Sequence, residues 1–157
     1  MMLNEIIPNL FLGNSDDAIN MIMNNSIHTV INCTSKDDEV SIWVNSIHVR
    51  SYPNDHEIWN RFQKDMSRIF SEIANAILHG HYVLIYDKDG QSLAPIICAC
   101  YLMNMFMMDV ERVLIYMRKR NTLSWDKIKH SSILDCCYHN IRWTTMKTNR
   151  ADCQQNQ

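Results

Sequence analysis

The stretch VLIYDKDGQSLAP, Val83 to Pro95, decides the fold. An apolar, β-prone run leads into a turn at Gly90, and an apolar run at helical length follows. In α/β proteins, ligands collect where a strand ends and a helix begins. A helix starting there offers unpaired N–H groups and positive dipole character, which suits phosphate. Yet the turn carries two acids, Asp87 and Asp89, and its one cation is Lys88. A helix N-terminus is worth about 0.3–2 kcal/mol to an anion. Two like unit charges roughly 4 Å apart repel by about 4 kcal/mol at an effective dielectric near 20. Phosphate carries up to two negative charges, so the acid at Asp87 outweighs the dipole. The turn has the location of a phosphate site and a chemistry that rejects phosphate.

On either side of this stretch the periodicity alternates between strand and helix. Ile6 to Leu12 reads as a short strand broken by Pro8. Asn14 with Asp17 three residues later suits a helix start, and Ala18 to Met23 carries the helix. His28 to Cys33 is a β-rich run, and Ile47 to Ser51 a further short strand ended by Pro53 and Asn54. From Glu57, the residues Ile58, Phe62, Met66, Ile69, Ile73 and Ile77 recur at spacings of four and three, one face of an amphipathic helix closed by His79-Gly80. Tyr82 to Tyr86 is the strand of the opening stretch, followed by a buried helix to about Met107. Asp109 caps a helix to about Lys119, and a last one is expected from Asp126 to about Trp143. The Met-rich run 103–108 reads as core or helix-end packing. Strands alternating with helices predict a single compact α/β domain, a mostly parallel central sheet flanked by helices. The domain is expected over residues 1–144, with a polar, disordered tail at 145–157.

Composition bounds the function. The chain has 157 residues, enough for one domain with a proper core, and a formal charge of −2. That charge gives no reason to expect binding to nucleic acid or to a membrane surface. The six cysteines show no zinc-type pairing and read as idle thiols of a reducing compartment. The opening residues lack the pattern of a secretory signal. The apolar run from Ala94 is interrupted by Asn104 and falls short of the roughly 20 residues that span a bilayer. A cytoplasmic protein, with nuclear entry open, is the expectation, with no cofactor and no metal.

Taken alone, DKDG is similar to the DxDG motif of the haloacid dehalogenase-like phosphatases, where the first Asp attacks phosphorus and magnesium neutralises the site. Its placement argues against that: the motif ends the first strand of that fold, whereas here it lies past the middle of the chain. A calcium loop fails too, because Cys98 stands at the twelfth position, where a bidentate Glu is needed.

The whole chain resembles another family, the dual-specificity phosphatases of the cysteine-based tyrosine phosphatase superfamily. IIPNLFLGN (Ile6 to Asn14) is similar to the family's opening Ile-x-Pro-x-Leu-(Tyr/Phe)-Leu-Gly strand. HTVINCTS (His28 to Ser35) looks like its second strand, and SYPND (Ser51 to Asp55) occupies the general-acid loop. The stretch from Val83 to Met103 matches Val-Leu-Val-His-Cys-x-x-Gly-x-Ser-Arg-Ser and the helix after it. The resemblance covers about residues 5–142 and weakens in the last helix.

On that motif, Asp87 takes the place of the nucleophilic Cys, Tyr86 that of the His before it, and Leu93 that of the phosphate-binding Arg. Ala94 replaces a hydroxyl residue, while Gly90 and Ser92 are retained. Asp55 matches the general acid. The loop scaffold is then Asp87, Lys88, Asp89, Gly90, Gln91, Ser92 and Leu93. The family's reaction needs a low-pKa thiolate and a bidentate Arg, and leucine has no donor at all. The resemblance therefore implies a catalytically inactive member, a pseudophosphatase, similar to the phosphoserine/threonine/tyrosine-interacting proteins. Such a protein acts through a protein partner, for instance a phosphoprotein or a kinase. Asp87 is expected to plug the loop, its carboxylate accepting the N–H groups that phosphate would take. Two enzymatic alternatives stay open: a residual phosphatase using Asp87 with Asp55, and a magnesium-dependent aspartyl phosphatase.

Overall fold

The structure, a computed structural model, describes residues 3–36, 44–120, 128–129 and 131–141. The expected strand Ile6–Leu12 is two strands, β1 (Asn4–Ile7) and β2 (Leu10–Asn14), folded antiparallel on each other. Pro8 cannot donate to a ladder, so it sits in the turn, and Asn9 takes the left-handed conformation at φ 72° that its short polar side chain tolerates. Helix α1 (Ser15–Met23) follows at once. Its start is a reciprocal capping box: the Asn14 side chain accepts from Asp17 N, and the Asp17 carboxylate accepts from Asn14 N, each at 2.9 Å.

Strands β3 (Thr29–Asn32), β4 (Asn45–His48) and β5 (Val83–Asp87) complete a five-stranded sheet in the order β1-β2-β5-β3-β4. Every pairing except β1 with β2 is parallel. The observed strands lie within two residues of the expected ones, save that the fourth ends at His48 rather than Ser51. Parallel strands need crossover helices, and the chain supplies them: α1 between β2 and β3, and the 24-residue α2 (Asp55–Leu78) between β4 and β5.

Alternation along the strands divides the core between two faces. Val30, Leu84 and Tyr86 pack under Ala18 and Met21 of α1. Leu10, Leu12, Ile31, Val83 and Ile85 face the larger layer: α2, α3 (Leu93–Phe106), α4 (Val110–Arg118) and a helix α5 at 132–141. The predicted stripe on α2 is the buried one, with Ile77 half-buried at its end. Helix α3 is buried from Leu93 through Met103, which explains its near-continuous hydrophobicity. No single helix among the described residues is long and apolar enough to cross a membrane.

Two expectations are corrected. The last helix does not run unbroken from Asp126, because Ser131 lies outside helical structure and the helix occupies 132–141. The Met-rich run is only partly packing: Met103 is buried, whereas Met105, Phe106 and Met107 are 45%, 53% and 59% exposed. Helix α3 ends there, Met107 turning left-handed at φ 53°, so the next turn of side chains has no layer to enter. The expected tail, 145–157, lies outside the described residues.

Candidate functional site

Strand β5 delivers Asp87 to the carboxyl edge of the sheet, and α3 begins six residues later. Its neighbour β2 ends in Asn14, paired in register with Asp87, so the starts of α1 and α3 meet at this turn. Gly90 holds φ +74°, a left-handed conformation that disfavours side chains. A Cβ there would also stand 3.2 Å from the Gly13 carbonyl group. Gly90 thus lets the turn fold flat against β2.

Inside the turn, the Asp87 side chain is the acceptor. It is 3% exposed, and one oxygen takes the N–H of Gly90 while the other takes those of Ser92 (3.1 Å) and Ala94 (2.8 Å). Helix α3 has no cap from its own Ser92 side chain. Its first N–H groups, which would otherwise lack partners, are satisfied by a carboxylate arriving from the preceding strand. Burial raises the Asp87 pKa above its ordinary 3.8; the Ala94 N–H pulls it down, the neighbouring Asp89 pushes it up, and the Gly90 N–H opposes.

The remaining loop residues surround this acceptor. Asp89 accepts from Gln91 N at 2.9 Å and from the Ser92 hydroxyl at 3.3 Å. Burial works to raise its pKa, but these bonds and its link to Asp87 bring the net shift below 3.8. Lys88, Gln91 and Ser92 are exposed, while Tyr86 is buried under α1 and Leu93 in the main core. The Leu93 side chain thus packs as a core residue.

Asp55 stands in the first turn of α2, half-buried. Its carboxylate accepts from the hydroxyls of Ser131 (3.1 Å) and Ser132 (3.3 Å) and from Ser132 N (3.1 Å). It caps α5 from outside, as Asp87 caps α3. Sequence reasoning missed this pairing, although consecutive serines ahead of an apolar helix are a start signal. Asp55→Ala is expected to cost about 1–2 kcal/mol in urea unfolding, in the range of a lost cap.

The described cysteines are all free, and Cys33, Cys98, Cys100 and Cys137 are buried. Burial, followed by the Asp87 carboxylate and Cys98, raises the Cys33 pKa well above normal, and burial pushes Cys98 up to about 12. Neither is a ready thiolate. Among the described residues, no three His, Cys, Asp or Glu side chains are grouped so as to hold a metal ion.

Comparisons with known proteins agree with this architecture. The family model for the dual specificity phosphatase catalytic domain matches residues 10–134. Human DUSP28 is similar in structure at a TM-score of 0.74, with 16% identity over 90% of this chain and 96% of its own. A mouse putative dual specificity phosphatase, solved with zinc tungstate, gives 0.74 at 16% identity over 92% and 91%. The human tyrosine phosphatase-like serine/threonine/tyrosine-interacting protein gives 0.63 at 21% identity over 75% and 83%. A search of curated protein sequences finds no significant match. With the family model spanning strands β2 to β5, the Asp87 turn and helices α1 to α4, the chain belongs to the dual specificity phosphatase family.

Proposed function

We propose that this chain is a pseudophosphatase, a catalytically inactive member of its family that acts by binding other proteins. One observation carries the reading: the N–H groups of Gly90, Ser92 and Ala94 are already occupied by the Asp87 carboxylate. A phosphoryl group entering the turn must displace a buried anion or sit beside it, and neither is favourable. The motif alignment adds that Asp87 stands for the attacking Cys and Leu93 for the phosphate-gripping Arg. The acid matched to Asp55 has its carboxylate engaged with Ser131 and Ser132.

One structural relative is an interacting protein by name, and a similar role is proposed here, with a phosphoprotein or kinase as the partner class. The exposed apolar run Met105–Met107 supports protein binding, since adaptable methionines suit contact surfaces.

Family membership also favours a second reading, residual phosphatase activity. Turnover of a generic aryl phosphate, with and without magnesium, tests both. The expected rate equals the protein-free blank in either condition. Turnover that Asp87→Asn abolishes would overturn the proposal, and strict metal dependence would assign an aspartyl phosphatase instead.

A further inference from the structure

At the amino ends of the strands, away from the Asp87 turn, three histidine rings stand in a row. His28 precedes β3, while His79 and His81 flank Gly80 in the turn from α2 to β5. The rings of His28 and His81 lie 4.0 Å apart, 9° from parallel, and His79 continues the row at 6.3 Å and 14°. The backbone joins the same elements. The amides of His28 and Thr29 both donate to the Tyr82 carbonyl, at 3.1 and 3.3 Å, and His81 N donates to Ala76 O at 2.9 Å. His79 Nδ1 donates to Asn75 O at 2.7 Å, and His28 Nδ1 is hydrogen-bonded to the Thr29 hydroxyl at 2.8 Å.

Among the described residues, the charged groups around the row are few. A hollow beside it is lined by Glu72 and Asn75 of α2 and Asn45 of β4. Glu72 is already engaged, by Arg68 at 3.4 Å and by Asn45 Nδ2 at 3.3 Å. On the other side, Asn25, Ser26 and Ile27 bring no charge, and Tyr82 packs edge-on against Phe11. Among the described residues, the one carboxylate lining the hollow is Glu72, whose oxygens Arg68 and Asn45 already engage.

The geometry points to an acid-released clamp: neutral His28 and His81 stack to hold the start of β3 against the α2–β5 turn, and protonation of both rings forces them apart. The sign agrees with the titration of His28. Burial, and then the neighbouring His81, lower its pKa from the ordinary 6.5. Folding therefore weakens proton binding, and the clamp's contribution is full above about pH 6.5 and fades as pH falls below it.

The test is amide exchange by NMR on the full chain at pH 7.5 and 5.5, corrected for intrinsic rates, with imidazole titration in parallel. Protection of the His28 and Thr29 amides is expected to drop several-fold at the lower pH. In His81→Phe, which keeps a stacking ring without the charge, the drop should vanish. In His81→Gln, His28 should titrate closer to its ordinary value. An unchanged His28 titration in His81→Gln, or a pH response that survives in His81→Phe, would overturn the clamp.

Discussion

A chain carrying Asp87→Cys together with Leu93→Arg is expected to bind vanadate about a thousandfold more tightly than the parent. Removing one like charge beside the bound anion is worth about 4 kcal/mol, close to three decades in affinity. The new guanidinium adds a bidentate donor where leucine has none. The backbone supplies the rest: Gly90 in its left-handed turn, and the amides of Gly90, Ser92 and Ala94 already pointing at one acceptor. Leu93 is packed in the main core, so the arginine must swing its head over the turn, and circular dichroism has to show that the variant is folded. Calorimetric titration with vanadate reads the affinity. No binding in a folded double variant would mean that this turn is not a phosphate cradle, whatever side chains it carries.

Asp87→Ala separates the structural role of the acid from its blocking role. Three N–H groups, those of Gly90 and Ala94 buried and that of Ser92 partly so, lose a charged acceptor, and hydrogen bonds of that kind contribute about 1.5–3 kcal/mol each. The whole sum will not appear. Burial opposes the charge on Asp87, as its raised pKa records, and water can enter an opened turn. A net loss of about 2–3 kcal/mol in urea unfolding is therefore expected. Phosphate should then stabilise the variant and leave the parent unchanged at matched ionic strength. At ten times its dissociation constant, phosphate would restore about 1.4 kcal/mol. Equal responses from the two proteins would show that Asp87 is not what keeps anions out.

The two acids show how far the site was legible from residues alone. Asp87 as an internal plug followed from placing an acid where a strand delivers it to a helix start. The structure adds which amides it holds, including that of Ala94, seven residues along the chain. Asp55 was different. Its sequence neighbours Pro53 and Asn54 describe a turn, and only the packing of α2 beside α5 brings Ser131 and Ser132 to it, more than seventy residues away. The exposed Met105–Met107 run was misread for a related reason, since methionine reads as core until neighbouring layers are counted. The histidine row was not legible in the sequence, because the stacking of His28 on His81 depends on β3 lying beside β5.

By itself, then, the sequence determined whatever depends on local pattern. The periods of two and 3.6, the capping pair Asn14 and Asp17, the breaks at Pro8 and Gly80, and the strand–turn–helix around Gly90 specified an α/β domain, while the family came from the resemblance of its motifs. It also determined that the turn holds an acid and lacks an arginine. Tertiary structure alone decided what those acids touch. Asp87 and Asp55 became caps of helices α3 and α5 because the sheet order and the crossover of α2 set each carboxylate against amides that helical geometry leaves unpaired. Hydrogen bonds formed across such distances leave no period in the sequence, and only the folded chain places their partners.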